Sequence, residues 1–355
     1  MCPHFSFLRY CLDNSQDVPV SIQDVDWNGL FSFMQQQALL GVGFHGASRL
    51  KSSGVDIPKP LFLKWFALSE RIKRQNELLN SRSSEIVCQL ATEGVRCCIL
   101  KGQGNAVMYP DSFMRTPGDI DVWADGSRQR IMELVRGRFP MTLLRYHHVD
   151  YPIFKDADVE LHFIPSTMNN PFFNGRLREW FENNKEQQLC NLVQLPNAEH
   201  VPVPTPAFNV VYQLSHLMHH FFDEGIGLRQ MMDYYYVLRS YGGSSMECDV
   251  ASTLRRLNLF RFAGAVMYVM REVFGLEESL LIIPVDERRG RTLLGEILKG
   301  GNFGQHSGLT RHSTGMKYFL KIRRNLRFAG EYPCEALCEP VFRTWHFFWR
   351  LFHRR

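Results

Sequence analysis

Two neighbouring stretches decide how this chain is read: Leu100-Lys101-Gly102-Gln103-Gly104, and Arg115-Thr116-Pro117-Gly118-Asp119-Ile120-Asp121-Val122. Val95 to Leu100 is a short β-rich run that meets the glycines directly, which predicts a buried strand followed by a turn. In the second stretch strand alternation puts Asp119 and Asp121 on one side, while Ile120 and Val122 enter the core. Two carboxylates on one edge repel unless a cation stands with them, and Mg²⁺ takes oxygen ligands and supplies that charge. A third carboxylate, Glu160, alternates out of the apolar strand Val159-Glu160-Leu161-His162. If the two strands are neighbours, three carboxylates converge and suit a two-ion phosphoryl-transfer site. The glycine turn lets backbone N–H groups approach phosphate oxygens, with Lys101 and Arg115 as a mobile and a forked positive charge for the same group. Each piece is weak alone, because an acidic pair at a strand end is most often a solvated edge.

Working outward, Ile120, Val122 and Trp123 mark a second strand, 127–139 a helix, 141–146 a third strand, 151–154 a fourth and 159–163 a fifth. Upstream, Trp27, Leu30, Phe31 and Met34 recur at helical spacing. Pro58 and Pro60 open a long periodic stretch over 61–93 that Gly94 ends. Downstream of Pro165 the helical pattern resumes, broken by the Pro-rich Val201–Pro206, which reads as a linker. Thr205 before Pro206 fits an N-cap followed by proline at the first helical position. Helices are then expected at about 206–222, 227–240, 249–258, 259–274, 290–299, 314–328 and 335–353. The class is α+β: an N-terminal helical region (1–93), an α/β core (94–165), a connecting helix and linker (166–204) and a C-terminal helical domain (205–355).

Composition fits an ordinary globular chain. Among 355 residues, 45% are hydrophobic, 22% charged and 13% aromatic, which excludes disorder, collagen and coiled coil. Lys plus Arg number 41 against 36 for Asp plus Glu, and a net charge of +5 gives no argument for nucleic acid. Nine scattered cysteines read as free thiols in a reducing compartment, so the expected location is cytoplasmic. The start of the chain does not read as a signal peptide, and the purest apolar run, Phe262 to Met270, is about half of what a membrane crossing needs.

The order Lys101-Gly102, Tyr109-Pro110, Arg115, Gly118-Asp119-Ile120-Asp121-Val122-Trp123, Val159-Glu160-Leu161-His162-Phe163, then a histidine-bearing helix and Leu228-Arg229-Gln230-Met231-Met232-Asp233-Tyr234-Tyr235, resembles the uncharacterised nucleotidyltransferase family of bacteria. That family lies within the DNA polymerase β-like nucleotidyltransferase superfamily. The resemblance runs from about Leu61 to the C-terminus, with its specific motifs at 100–162 and 216–233. It implies a small mixed-sheet, polymerase β-like core with Gly102 at the head of a helix. Asp119 and Asp121 would hold two Mg²⁺ ions, with Mn²⁺ the alternative. Glu160 would bind the catalytic ion and accept the proton of the acceptor hydroxyl, and Lys101, Gly102 and Arg115 would hold the triphosphate of an NTP such as ATP. Lys101-Gly102-Gln103 departs from the superfamily's usual Gly-Ser but is typical of this particular family.

His216, His219, His220, Arg229 and Asp233 fall on two consecutive helices, the three histidines on one face. Zinc is the sharper reading; without a HExxH pattern, ordinary packing is the plainer one. Arg229 and Asp233, four apart, read plainly as an in-helix pair; the functional reading turns Arg229 and His216 into the cleft to contact nucleotide or acceptor. His162 shares the face of Glu160, to orient it or touch phosphate. His147-His148 resembles the family's histidine at that point and would touch substrate, whereas the plainer reading is a surface strand end. Cys334 and Cys338 lack companion ligands. The aromatic, basic run Phe342 to Arg355 suits a membrane or nucleic acid, but docking against the helical domain is the favoured expectation.

The expected reaction is in-line attack on the α-phosphorus with pyrophosphate leaving. The acceptor is open among a protein side chain, an RNA end, an antibiotic-like small molecule and a sugar phosphate. The rivals are a non-catalytic nucleotide-binding or interaction protein that keeps the fold, and a metal-dependent hydrolase using the histidine helix.

Overall fold

The computed structural model describes residues 2–353 except 13–17, 19–21, 23–24, 243–246 and 305–313. Its four-stranded mixed sheet is built from β1 (Cys97–Leu100), β2 (Ile120–Ala124), β3 (His148–Asp150) and β4 (Val159–His162), in the order β1-β2-β4-β3. β1 runs antiparallel to β2, β2 parallel to β4, and β3 antiparallel to β4. Every residue of β1 and β2 is buried, because both faces of the sheet are covered.

Helices supply the rest: α1 (Pro3–Leu12), α2 (Trp27–Gln36), α3 (Leu40–Ser52), α4 (Lys59–Thr92), α5 (Gly102–Ala106), α6 (Arg128–Arg138), α7 (Pro171–Cys190), α8 (Pro206–Asp223), α9 (Leu228–Tyr241), α10 (Glu247–Arg256), α11 (Phe260–Val269), α12 (Glu287–Gly300), α13 (Thr314–Leu326) and α14 (Pro333–His353). The chain is thus α+β and mostly helical. Among the described residues no helix is long and apolar enough to cross a membrane, and the described cysteines are free.

Strand alternation divides the core in two. Ile120, Val122, Val159 and Leu161 face Leu79, Ile86 and Leu90 of α4 and Ile131 and Val135 of α6. On the opposite face Trp123 meets Phe181 of α7 (ring centroids 6.2 Å apart) and Phe208 of α8 (5.8 Å). Each phenylalanine so buried contributes roughly 1.5–3 kcal/mol, which holds α7 and α8 against the sheet. Asp121 lies on this second face, towards α8.

Polar side chains set the remaining joints. Asn76 in α4 is fully buried, and its Nδ2 donates to the carbonyls of Phe113 (2.9 Å) and Arg115 (2.8 Å), clamping the loop that enters β2. Asn105 of α5 and Gln213 of α8 exchange two amide hydrogen bonds. Thr205 caps α8 by accepting from the Phe208 amide, and Pro206 opens the helix, as the sequence predicts.

Three expectations change. The run 141–146 forms one isolated bridge, Leu144 to Val149, and no strand; its alternating Met141 and Leu143 are exposed because no sheet covers them. The run 151–154 is loop, and the strand lies between the two, at His148–Asp150. The expected linker at 201–206 instead begins with β6 (His200–Pro202), paired antiparallel with β5 (Leu192–Gln194). This small hairpin tolerates Pro202 at a sheet edge while Val201 and Val203 are buried with the sheet cluster.

The C-terminal aromatic run docks by one face only. Phe342, Trp345 and Trp349 of α14 pack on Tyr146 at 5.6, 5.6 and 6.5 Å, while Phe347 and Phe348 are about half exposed. Arg354 and Arg355 lie outside the described residues.

Candidate active site

The site begins with strand register. The Ile120 amide donates to the Asp158 carbonyl (2.9 Å), which starts the parallel β2–β4 ladder and sets Asp121 opposite Glu160 and Trp123 opposite His162. Residues opposite each other in adjacent strands project from the same face, so the two carboxylates meet. Asp121 is buried, Glu160 is half-buried, and Asp119 lies just ahead of β2 at the rim, open to the cleft but hemmed in by protein on its other sides.

Asp121 is held at both oxygens. Lys101 Nζ lies 2.9 Å from Oδ2, and His162 Nε2 donates to Oδ1 at 2.7 Å. Burial pushes this carboxyl up, but Lys101 and His162 outweigh it and hold Asp121 far below the usual carboxylate range. Burial likewise lowers His162, yet its bonds to Asp121 and Glu160 win and raise it to about 9. Asp119 is pushed up to about 6, first by the Asp121 charge and then by burial, against the pull of Lys101.

Lys101 reaches Asp121 from a strained position. It follows β1 directly at φ +48°, a region that side-chain-bearing residues rarely adopt, and Gly102 comes next at φ +39°. Only glycine takes the second of these without strain. Lys101 Nζ also donates to His216 Nε2 at 3.1 Å; burial and then the Lys101 charge hold His216 neutral. α5 is five residues long, so the turn offers its amides more than a helix dipole.

Two side chains take partners that the sequence does not foretell. Arg115, expected to grip phosphate, spends its fork on Asp233: Nε to Oδ1 and Nη2 to Oδ2, both 2.8 Å, with the Tyr109 hydroxyl donating to Oδ1 at 2.7 Å. Asp233, expected to pair with Arg229 along the helix, is therefore taken. Arg229 instead donates from Nη1 to the Thr116 carbonyl (3.1 Å) and lies over Phe303 at 5.2 Å, and its Nε is buried without a partner.

The histidines sort themselves by contact. Among the described residues the ligand-capable groups that converge are Asp121/Glu160/His162, His148/Asp150/Glu160 and His147/His148/His162. His216, His219 and His220 of α8 belong to none of these: His216 meets Lys101, His219 lies 3.4 Å from Thr167 Oγ1, and His220 packs on Phe303. His148, read plainly as a surface strand end, is buried, with burial lowering it to about 2. Asp150 was not singled out, because its strand was displaced to the runs on either side; with β3 placed correctly, alternation alone puts it beside His148.

The carboxylates Asp119, Asp121 and Glu160 and the histidines His147, His148, His162, His216, His219 and His220 line one cleft of about 1010 Å³, at the upper end of ordinary ligand-site volumes. Lys101, Asp119, Glu160 and Arg229 form one side, and Lys317, Glu339 and Arg343 of α13 and α14 contribute to the other. The donor set suits a divalent cation, since Asp119, Asp121 and Glu160 line the same cleft and the Nδ1 of His148 is buried without a hydrogen-bond partner. Neither a curated protein nor a solved structure matches the chain. A family model described as uncharacterised nucleotidyltransferase matches residues 23–275, spanning the sheet, the carboxylates and α8 to α11, and the chain belongs to that family.

Proposed function

We propose that the chain is a divalent-ion-dependent nucleotidyltransferase with a polymerase β-like core, moving a nucleoside monophosphate from an NTP to a hydroxyl-bearing acceptor. The observation that carries this reading is the register pairing of Asp121 with Glu160 at the wall of a cleft large enough for a nucleotide. Mg²⁺ or Mn²⁺ would be held by Asp119, Asp121 and Glu160 and would supply charge to the triphosphate.

The chain's own residues do the rest. His162 keeps Asp121 ionised and fixes its orientation. Lys101, shared between Asp121 and His216, is the mobile cation for triphosphate oxygens, and the Gly102 turn presents backbone amides beside it. Glu160, the more accessible of the paired carboxylates, accepts the proton of the acceptor hydroxyl. The acceptor oxygen attacks the α-phosphorus, a new P–O bond forms, the bond to the β-phosphate bridge breaks and pyrophosphate leaves. Catalysis is positioning and charge neutralisation. Arg229 and His216 line the cleft within reach of nucleotide or acceptor.

Incubating the protein with α-labelled NTPs, Mg²⁺ and a cell lysate tests this. Label should enter one class of macromolecule or metabolite with the wild type and not with Asp121→Asn; no transfer by the wild type across all four NTPs contradicts it. The engagement of both Asp121 oxygens by Lys101 and His162 favours one rival, a nucleotide-binding protein without turnover, which would bind nucleotide in the same assay and transfer nothing.

A further inference from the structure

We propose that His148 is an ion ligand, and that with Asp150 and Glu160 it forms an imidazole-bearing ion position on the β3 side of β4, one that takes a divalent transition ion in preference to Mg²⁺. This rests on, and deepens, the reading of Glu160 as an ion-binding carboxylate.

Topology brings the residues together. The antiparallel β3–β4 ladder pairs His148 with His162 and Asp150 with Glu160, so all four side chains share one face. One ligand-capable atom from each of His148, Asp150 and Glu160 lies within 4.8 Å of the others. His148 is 8% exposed, and its Nδ1 is buried with no hydrogen-bond partner while lying 3.3 Å from Glu160 Oε2. A buried ring nitrogen this close to a carboxylate oxygen, without hydrogen-bond geometry, lacks the group that would satisfy both. Two ligand atoms bound to one ion are about 3.0–3.5 Å apart at ordinary bond lengths, and the observed separation falls in that range.

Donor chemistry then selects the ion. Mg²⁺ takes oxygen and keeps its waters, whereas imidazole beside carboxylate suits first-row transition ions. Glu160 also belongs to the Asp121/Glu160/His162 group, so one carboxylate is common to both positions.

Pulsed EPR on the full-length protein loaded with Mn²⁺ tests the ligand directly. The bound ion should show nitrogen hyperfine modulation, lost in His148→Asn and retained in His162→Asn. In competition titrations Mn²⁺ should bind the wild type at least about tenfold more tightly than Mg²⁺, and His148→Asn should remove most of that margin. Circular dichroism checks that each variant is folded; should His148→Asn not fold, the wild-type spectrum together with Asp150→Asn, which should weaken Mn²⁺ but leave the modulation, decides. Bound Mn²⁺ with oxygen ligands only, or modulation that survives His148→Asn and vanishes in His162→Asn, overturns the role of His148 and leaves the Glu160 ion site standing. No Mn²⁺ binding at all overturns both.

Discussion

Asp121 and Glu160 are register partners across the only parallel strand pair among the described residues, with His162 Nε2 at 2.7 Å from Asp121 and 3.4 Å from Glu160. The His162 ring thus bridges two carboxylates that are 39 positions apart in sequence. Lys101 completes the cluster from the turn that follows β1, so the sheet and its first turn assemble the charges.

His162→Gln should leave Asp121 with one cation instead of two. We expect NTP turnover to fall by about 10²-fold or more while the protein stays folded, since the role is to orient and charge the carboxylate. Steady-state kinetics with the identified acceptor, paired with a melting curve, check this; unchanged turnover would exclude His162 from the site.

The Arg115–Asp233 pair gives a prediction of the opposite kind. Asp233→Ala leaves a buried guanidinium without its carboxylate and should cost about 3–5 kcal/mol in urea denaturation. The double replacement Arg115→Met with Asp233→Leu should recover most of that loss. If Arg115 served phosphate instead, the double variant would be stable yet show a much higher KM for NTP.

Much of the acidic edge was legible because it is local. Alternation in Asp119-Ile120-Asp121 and in Val159-Glu160-Leu161 is a property of neighbouring residues, and apolar matching of two buried strands leaves few registers open. The partners of Arg115 and Arg229 were not legible, because the choice of Asp233 for Arg115 is made by packing α9 against the loop clamped by Asn76. His148 and Asp150 were missed for a different reason: Met141 and Leu143 imitate a strand's alternation while having nothing to cover them. The hairpin at 192–202 was hidden by its prolines, which an edge strand tolerates. In the C-terminal run, composition marked an aromatic, basic helix, but which aromatics dock was decided by the position of Tyr146.

Arg229 carries a buried Nε without a partner and lines the cleft beside Gly118. Arg229→Ala should raise the KM for nucleotide or acceptor by about tenfold, the loss of one charge-assisted hydrogen bond at roughly 1.5 kcal/mol. Unchanged binding and turnover would remove Arg229 from the site.

Stability should respond to pH through Glu335 at the start of α14. Its carboxylate accepts the Asn169 amide at 2.7 Å and the Asn170 amide at 3.3 Å, yet burial raises it from 4.5 to about 7. The folded state therefore holds this proton more tightly than the unfolded chain. Its stabilisation is complete below about pH 4.5 and is lost as pH rises to about 7, an amount on the order of 2–4 kcal/mol. Glu335→Gln should flatten the pH dependence of urea unfolding over that window; an unaltered slope would assign it to other groups.

The central claim is that Asp121 and Glu160 together grip a divalent ion for a nucleotide. Calorimetric titration of the full-length protein with ATP, with and without Mg²⁺, tests it most directly. We predict binding that requires Mg²⁺ and weakens by about tenfold or more in both Asp121→Asn and Glu160→Gln. ATP affinity that is the same without Mg²⁺, or unchanged in both variants, would contradict it.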